Sequence, residues 1–243
     1  MTMFYGVPEN ELSNLQIAAN HLSRIFTRVF LGDNLIAIDK NMGFFDDPQF
    51  HDIFKKHAAT PQEESLIWRL HTLAWATKHG LHIAGDFVEC GVFKGFSTSV
   101  IADYLNFGKT GKKWYLYDTF NPAPTTDSAN GQEDPNDSFY REVEKKFSGY
   151  PNIHLVRGLV PDSFAKACPD TIAFLHLDMN NAPAEIGALD SLFDRITAGG
   201  IIVLDDYGWL AYREQKLAED RFFEKRGYTV LETPTGQGIL IKR

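Results

Sequence analysis

Apolar residues recur with two different periods along this chain, and the change falls near Gly80. Before it the spacing is helical. From Leu15 the positions Ala18, Leu22, Ile25, Phe26 and Val29 keep one stripe, which predicts a helix running to about Val29. A turn-rich stretch covers 41–48. Thr60-Pro61-Gln62-Glu63 then supplies an N-cap hydroxyl, a proline at the first helical position and a capping-box glutamate. Leu66, Ile67, Leu70, Leu73, Ala74 and Thr77 carry the face of that second helix, and Lys78-His79-Gly80 ends it.

After Gly80 short apolar runs alternate with helical stripes. Strands are predicted at 86–90, 114–118, 153–157, 172–178 and 200–205. One helix is marked by Phe96, Val100, Ile101 and Leu105, another by Ile186, Leu189, Phe193 and Ile196. Near-continuous apolar strands interleaved with amphipathic helices predict an α/β fold with a Rossmann-like, mostly parallel sheet covered on both faces. The end differs. Residues 212–226 read as helix, while 228–232 and 238–242 read as strands whose connection is too short for a helical crossover, so they must form an antiparallel hairpin at the sheet edge. The expected organisation is a helical N-terminal extension over 1–80, acting as a lid or dimer contact, followed by one α/β domain over 81–243. Residues 121–137 read as a long polar loop, and loops of that length are often functional.

Composition narrows the classes. Lys plus Arg is 24 against 32 for Asp plus Glu, a formal net charge of -8, which disfavours a protein that neutralises nucleic-acid phosphates. The two cysteines, Cys90 and Cys168, form no disulfide framework and no paired-thiol zinc site, so a reducing cytoplasm is expected. No apolar run approaches the roughly 20 residues that span a bilayer. The first residues lack the charged-then-apolar order of a signal peptide.

In open α/β sheets ligands bind beyond the carboxyl ends of the strands. The first strand stops at Glu89-Cys90-Gly91-Val92-Phe93-Lys94-Gly95, a glycine-bearing turn that opens a helix with Ser97 in its first turn. Such a turn lets a ligand approach the backbone and offers N–H groups to an anion, although it also serves as a plain strand-to-helix connection. The second stops at Tyr117-Asp118-Thr119-Phe120. Asp118 can accept both hydroxyls of a ribose or can cap a turn. Together the two ends predict a nucleoside lying across the sheet with Phe120 beside its base. Asp178, Asp205 and Asp206 end the fourth and fifth strands. Carboxylates about 4 Å apart repel by roughly 4 kcal/mol at an effective dielectric of 20. The cluster therefore asks for a proton, water or a hard divalent ion, Mg²⁺ first. Alternatively Asp205 and Asp206 point to opposite sides and one caps the next helix. Asn180 and Asn181 offer further amide ligands. His176 shares a strand face with Asp178 and is either a core histidine or a base. His51, His57 and His154 acquire no role, and Phe44, Phe45, Phe50 and Phe54 read as packing rather than a substrate box.

These residues resemble the macrocin O-methyltransferase family, class I enzymes that use S-adenosylmethionine (SAM) and act on sugar hydroxyls of antibiotics. The resemblance is carried by Gly85-Asp86-Phe87-Val88-Glu89-Cys90-Gly91-Val92, Tyr117-Asp118-Thr119-Phe120, Leu175-His176-Leu177-Asp178, the run from Gly199 to Gly208 and the tail Pro234-Thr235-Gly236-Gln237-Gly238. It implies that Glu89, Gly91 and Val92 face the methionine part of SAM, with Lys94 and Ser97 near its carboxylate. Asp118 would bind the ribose, with Thr119 and Phe120 completing the cofactor set. Asp178, Asp205 and Asp206 would match the Mg²⁺ ligands, and the acceptor would be a small hydroxylated molecule such as a sugar or glycoside. Where that pattern carries an acid two places after the first metal ligand, this chain has Asn180, and an amide cannot usefully take a proton. Either metal activation suffices, or His176 or another group takes the proton, or the acceptor differs. Two alternatives remain open at this level: an NAD(P)-dependent oxidoreductase on a similar sheet, and a non-catalytic module with this fold. A homodimer is compatible with the sequence.

Overall fold

The computed structural model describes residues 4–121 and 137–243, so most of the polar stretch over 121–137 lies outside the described residues. The chain divides into two compact units, Met1–Thr72 and Leu73–Arg243.

The first unit begins with α1 (Leu12–Ile25). The apolar stripe points on to Val29, but the helix stops at Ile25 because Phe26 is extended and Val29 belongs to a strand. That strand, β1 (Val29–Gly32), pairs antiparallel with β2 (Leu35–Ile38). The connection is two residues, Asp33 and Asn34, with φ of 53° and 54°. Both values suit the mirror-image turn that matches strand twist, and Asp and Asn tolerate it best after glycine. Asp39 takes the N–H groups of Thr27 and Arg28 and fixes the entry to the hairpin. The helix α2 (Pro48–His57) is capped by Asp47, which accepts from Phe50 N–H at 2.9 Å. The helix α3 (Pro61–Ser65) shows the expected capping box between Thr60 and Glu63. A break at Leu66 separates it from α4 (Ile67–Gly80), which ends at the expected glycine. Phe44, Phe50 and Phe54 are buried, Phe44 edge-on to Trp68, whereas Phe45 is exposed. Packing is thus the role of three of the four phenylalanines.

The second unit is built on seven strands. Those expected at 86–90, 114–118 and 153–157 appear with those bounds as β3 (Asp86–Cys90), β4 (Trp114–Asp118) and β5 (Ile153–Arg157). Between them lie α5 (Phe96–Leu105) and α6 (Ser138–Phe147). The last was not expected, although Phe139, Val143 and Phe147 at i, i+4 and i+8 give it a buried stripe. Then follow β6 (Ile172–Leu177), α7 (Ala182–Leu192), β7 (Ile196–Leu204), α8 (Arg213–Glu224), β8 (Leu231–Glu232) and β9 (Gly238–Ile241). Ile196 starts a strand instead of closing a helix, and β7 passes Gly199 and Gly200 through a register shift against β6.

The sheet order is β5-β4-β3-β6-β7-β9-β8. The first five in that order are parallel, and β9 and β8 add antiparallel at one edge, as the hairpin reading required. The chain leaves β3 in one direction and returns to β6 on its other side, so the switch point lies between β3 and β6. The strand β6 is buried throughout. One face, carrying Val88, Cys90, Leu175 and Leu177, packs with α7 and α8 through Leu189, Leu192 and Phe223. The opposite face carries Phe87 and Phe174, which meet Trp114 edge-on. Both cysteines are free thiols. Among the described residues no helix is long and apolar enough to cross a membrane.

Candidate functional site

Register decides which polar side chains meet. Glu89 pairs with His176 across β3 and β6, and His176 with Val203 across β6 and β7. Side chains alternate along strands, so Asp205, two beyond Val203, is set on the same face. His176 Nδ1 lies 3.2 Å from Glu89 Oε1, and Thr98 Oγ1 donates to Glu89 Oε2. His176 Nε2 lies 3.5 Å from Asp205 Oδ1, an ion-pair distance rather than a good hydrogen bond. Burial by itself depresses the imidazole pKa. The nearby Asp205 and Glu89 carboxylates outweigh that and raise it well above the ordinary value.

His176, Asp178 and Asp205 each offer a ligand atom, all within 4.8 Å of one another. Among the described residues this is the one such cluster of His, Cys, Asp and Glu, and Asp206 is not part of it. His176 Nε2 is buried without a hydrogen-bond partner. Two converging carboxylates and an orphaned imidazole nitrogen fit a divalent cation. Carboxylates favour Mg²⁺, and imidazole also suits other first-row ions.

The loop after β6 is fixed from below. Gly91 adopts φ 89°, and a Cβ there would fall 1.9 Å from the Asp178 carbonyl oxygen. Asp178 N–H in turn donates to Cys90 O at 2.8 Å. Gly91 is therefore needed where the ends of β3 and β6 touch. Asn180 is exposed in a left-handed conformation, φ 53°. Asn181 is the N-cap of α7, its Oδ1 accepting from Ala184 N–H at 2.9 Å. Glu185 Oε1 accepts from Met179 N–H at 3.0 Å. Burial raises the pKa of Glu185 and of its neighbour Glu219, and for Glu219 the adjacent Glu185 carboxyl raises it further.

At the other side of the switch point Asp118 organises the turn. Its Oδ2 accepts from the N–H groups of Val92 at 2.7 Å and Phe93 at 2.8 Å. Its Oδ1 accepts from Phe120 N–H at 2.7 Å and from Thr119 Oγ1 at 3.5 Å. Each carboxylate oxygen has two lone pairs, so both sites on Oδ2 are filled by backbone N–H groups, and a ligand hydroxyl can be accepted only on Oδ1, in place of the weak 3.5 Å contact from Thr119. Phe93 and Phe120 both hold positive φ, 47° and 51°. Backbone strain of this kind in bulky residues concentrates at functional sites. The Phe93 ring is exposed, whereas Phe120 is fully buried edge-on to Tyr140 and turns no open face to a base. Lys94 is exposed, its carbonyl accepting from Lys146 Nζ, and Ser97 is half-buried in the first turn of α5. Gly95 caps that helix with φ 69°, and a Cβ on it would strike the Phe147 ring.

Sequence reasoning missed Thr98, Glu185 and Gln237. Gln237 Nε2 donates to Asp205 Oδ1 at 2.8 Å. Its motif was visible in the sequence, but nothing there tied it to Asp205.

A family model described as Macrocin-O-methyltransferase (TylF) matches residues 68–230. A curated relative from Streptomyces olivaceus, 8-demethyl-8-(2,3-dimethoxy-alpha-L-rhamnosyl)-tetracenomycin-C 4'-O-methyltransferase, is 24% identical over 147 residues, 54% of this chain and 56% of the relative. The chain thus spans about half the length of the curated relatives it matches. Among solved structures, a TDP-rhamnose 3'-O-methyltransferase of calicheamicin biosynthesis superposes with a TM-score of 0.58 at 14% identity, covering 98% of this chain and 96% of that one. An S-adenosylhomocysteine-bound methyltransferase from Podospora anserina gives a TM-score of 0.56 at 14% identity, covering 99% of this chain and 100% of the other. At these identities the likeness establishes the fold, a methyltransferase sheet with an antiparallel edge.

Proposed function

Starting from the premise that this chain belongs to the macrocin O-methyltransferase family, whose model covers 68–230, we propose that it transfers the methyl group of SAM to a hydroxyl of a sugar or glycoside, assisted by a divalent cation. The observation that carries the reading is the convergence of Asp178 and Asp205 with His176 beyond β6 and β7, beside the Asp118-capped turn. SAM, when bound, supplies an electrophilic methyl on a sulfonium, and the cation, when bound, lowers the pKa of an acceptor hydroxyl. Overall the acceptor gains the methyl as an ether, S-adenosylhomocysteine leaves, and one proton is released.

The chain's own groups divide the work. Gly91, Val92, Lys94 and Ser97 form the turn and helix start that take the methionine end of SAM. Asp118 accepts a ribose hydroxyl on Oδ1, displacing the weak Thr119 contact, while it holds the backbone of Val92 and Phe93, and Thr119 and Phe120 close the turn behind it. Asp178 and Asp205 hold the cation, Mg²⁺ being the first candidate; Asp206, next to Asp205 in sequence but outside their cluster, is a further ligand on the family pattern alone. His176 is 2% exposed, with one ring nitrogen on Glu89 and the other facing Asp205. That geometry, with Nε2 in the ligand cluster, favours supporting the cation over receiving a proton from an acceptor. Asn180, exposed on the same loop, offers hydrogen bonds to the acceptor but no proton sink. The carbohydrate class rests on the names of the similar proteins, one of which acts on a rhamnosyl group.

The test is calorimetry with SAM, with S-adenosylhomocysteine and with NAD, followed by labelled-methyl transfer to a panel of glycosides in Mg²⁺. Binding of the two adenosyl ligands and not of NAD is expected. Asp205→Ala should abolish transfer and leave SAM affinity within about threefold, because removing a cation ligand does not touch the turn that holds the cofactor. Full activity of that variant, or of wild type in excess chelator, removes the cation from the reading. Binding of NAD in place of SAM overturns the whole of it.

A further inference from the structure

The tail segment Thr233-Pro234-Thr235-Gly236-Gln237-Gly238, which no role above absorbs, is locked against the loop that carries Asp205. Leu204 pairs with Gly238 across the antiparallel β7–β9 ladder. Going one step further along both chains sets Asp205 opposite Gln237. One backbone hydrogen bond and two close glycine–ring approaches hold that alignment. Gly208 N–H donates to Gly236 O at 2.7 Å. A Cβ on Gly236 would come within 2.5 Å of the Trp209 ring, and one on Gly238 within 2.7 Å of the Tyr207 ring. The two glycines let the turn close onto residues 207–209 and leave Gln237 between them, fully buried.

Its amide has one permissible orientation. Oε1 accepts from Thr235 Oγ1 at 3.1 Å, and Nε2 donates to Asp205 Oδ1 at 2.8 Å. Flipping the amide would turn a carbonyl oxygen toward a carboxylate and an NH₂ toward a hydroxyl that needs an acceptor. Thr235 is itself buried and lies 2.8 Å from the hydroxyl of Thr233, whose N–H is fixed by Gln237 O at 2.8 Å. The polar chain thus runs Thr233, Thr235, Gln237, Asp205, every link inside the edge hairpin or one step beyond it.

We propose that Gln237 is a positioning residue: held by Thr235, it aims the Asp205 carboxylate at the cation, so the C-terminal hairpin is part of the metal site's support. This rests on the cation reading given under the proposed function. Groups that orient a metal ligand typically carry a tenfold to hundredfold share of metal affinity.

The probe is Mn²⁺, titrated by calorimetry into the full chain as wild type, Gln237→Met and Thr235→Val, with S-adenosylhomocysteine titrations and thermal unfolding in chelator alongside. Gln237→Met keeps the length of the side chain and removes its donor. Mn²⁺ affinity should fall about tenfold or more in Gln237→Met and by a smaller factor in Thr235→Val. Affinity for S-adenosylhomocysteine should stay within about twofold in both, because Gln237 and Thr235 orient a cation ligand and take no part in the cofactor turn. A role in folding alone would lower the unfolding temperature without this selective loss. If Gln237→Met does not fold, Thr235→Val decides by the same criterion. Wild type that binds Mn²⁺ no more tightly than the folded variants overturns the inference alone. Wild type that takes no Mn²⁺ overturns the cation reading and the inference with it.

Discussion

Gly91 shows how much one position settles. A Cβ there would overlap the backbone of Asp178, and the φ of 89° is one that L-residues rarely adopt. The obstacle is backbone held in the parallel ladder, so it cannot swing aside as a flexible side chain would. Gly91→Ala should lower stability by about 2 kcal/mol or more in urea unfolding, since left-handed strain and a backbone clash add. A loss below about 0.5 kcal/mol, the size of an ordinary surface change, would mean that the two strand ends do not meet as closely as described. The sequence suggested that this glycine admits a ligand. The structure gives it a prior task, letting β3 approach the loop after β6. Asp118 repeats the lesson. Its side chain was legible as a ribose acceptor or a turn cap, and the structure makes it a cap whose one displaceable contact is the 3.5 Å approach of Thr119 Oγ1 to Oδ1.

Between elements, the α7–α8 contact contains a second buried charge problem. Glu185 and Glu219 are both fully buried, and three of their four carboxyl oxygens lack a hydrogen-bond donor. One shared proton bridges two of these oxygens and removes one of the two buried charges, which is why Glu219 stays protonated far above its ordinary value. In the unfolded chain the same group titrates near 4.5. Above that pH the folded state therefore holds an extra proton, and its stability declines as pH rises toward the folded pKa. The slope is up to about 1.4 kcal/mol per pH unit. Glu219→Gln supplies a permanent donor to Glu185 and removes that slope. Its unfolding temperature should exceed that of wild type at pH 9, with the gap narrowing toward pH 5. Parallel curves for the two proteins would overturn the shared proton. Elements were otherwise well marked in the sequence where they carry continuous apolar runs, as β3, β4 and β5 do. The β1–β2 hairpin went unread because Val29 extends the helical stripe of α1, and only the Asp33–Asn34 turn betrays the strand pair. The helix α6 went unread because it adjoins the polar stretch.

For the whole molecule, ligand binding should be readable as stability. A ligand that binds only the folded state adds about 2.7 kcal/mol at a hundred times its dissociation constant. For a chain of this size that is a rise of about 5–10 °C in unfolding temperature. S-adenosylhomocysteine at that excess should give such a shift and NAD none; no shift with the former would count against the adenosyl site. The sequence by itself determined the α/β class and a mostly parallel sheet with an antiparallel edge, because apolar periodicity and short connections act locally along the chain. Tertiary structure alone decided which side chains meet. Glu89, His176 and Asp205 come together through the register of three strands, and Gln237 reaches Asp205 only because β9 runs antiparallel to β7 and pairs Gly238 with Leu204. Register is fixed by the burial of whole faces and by where glycines permit close approach, and those are properties of the packed sheet rather than of any one segment.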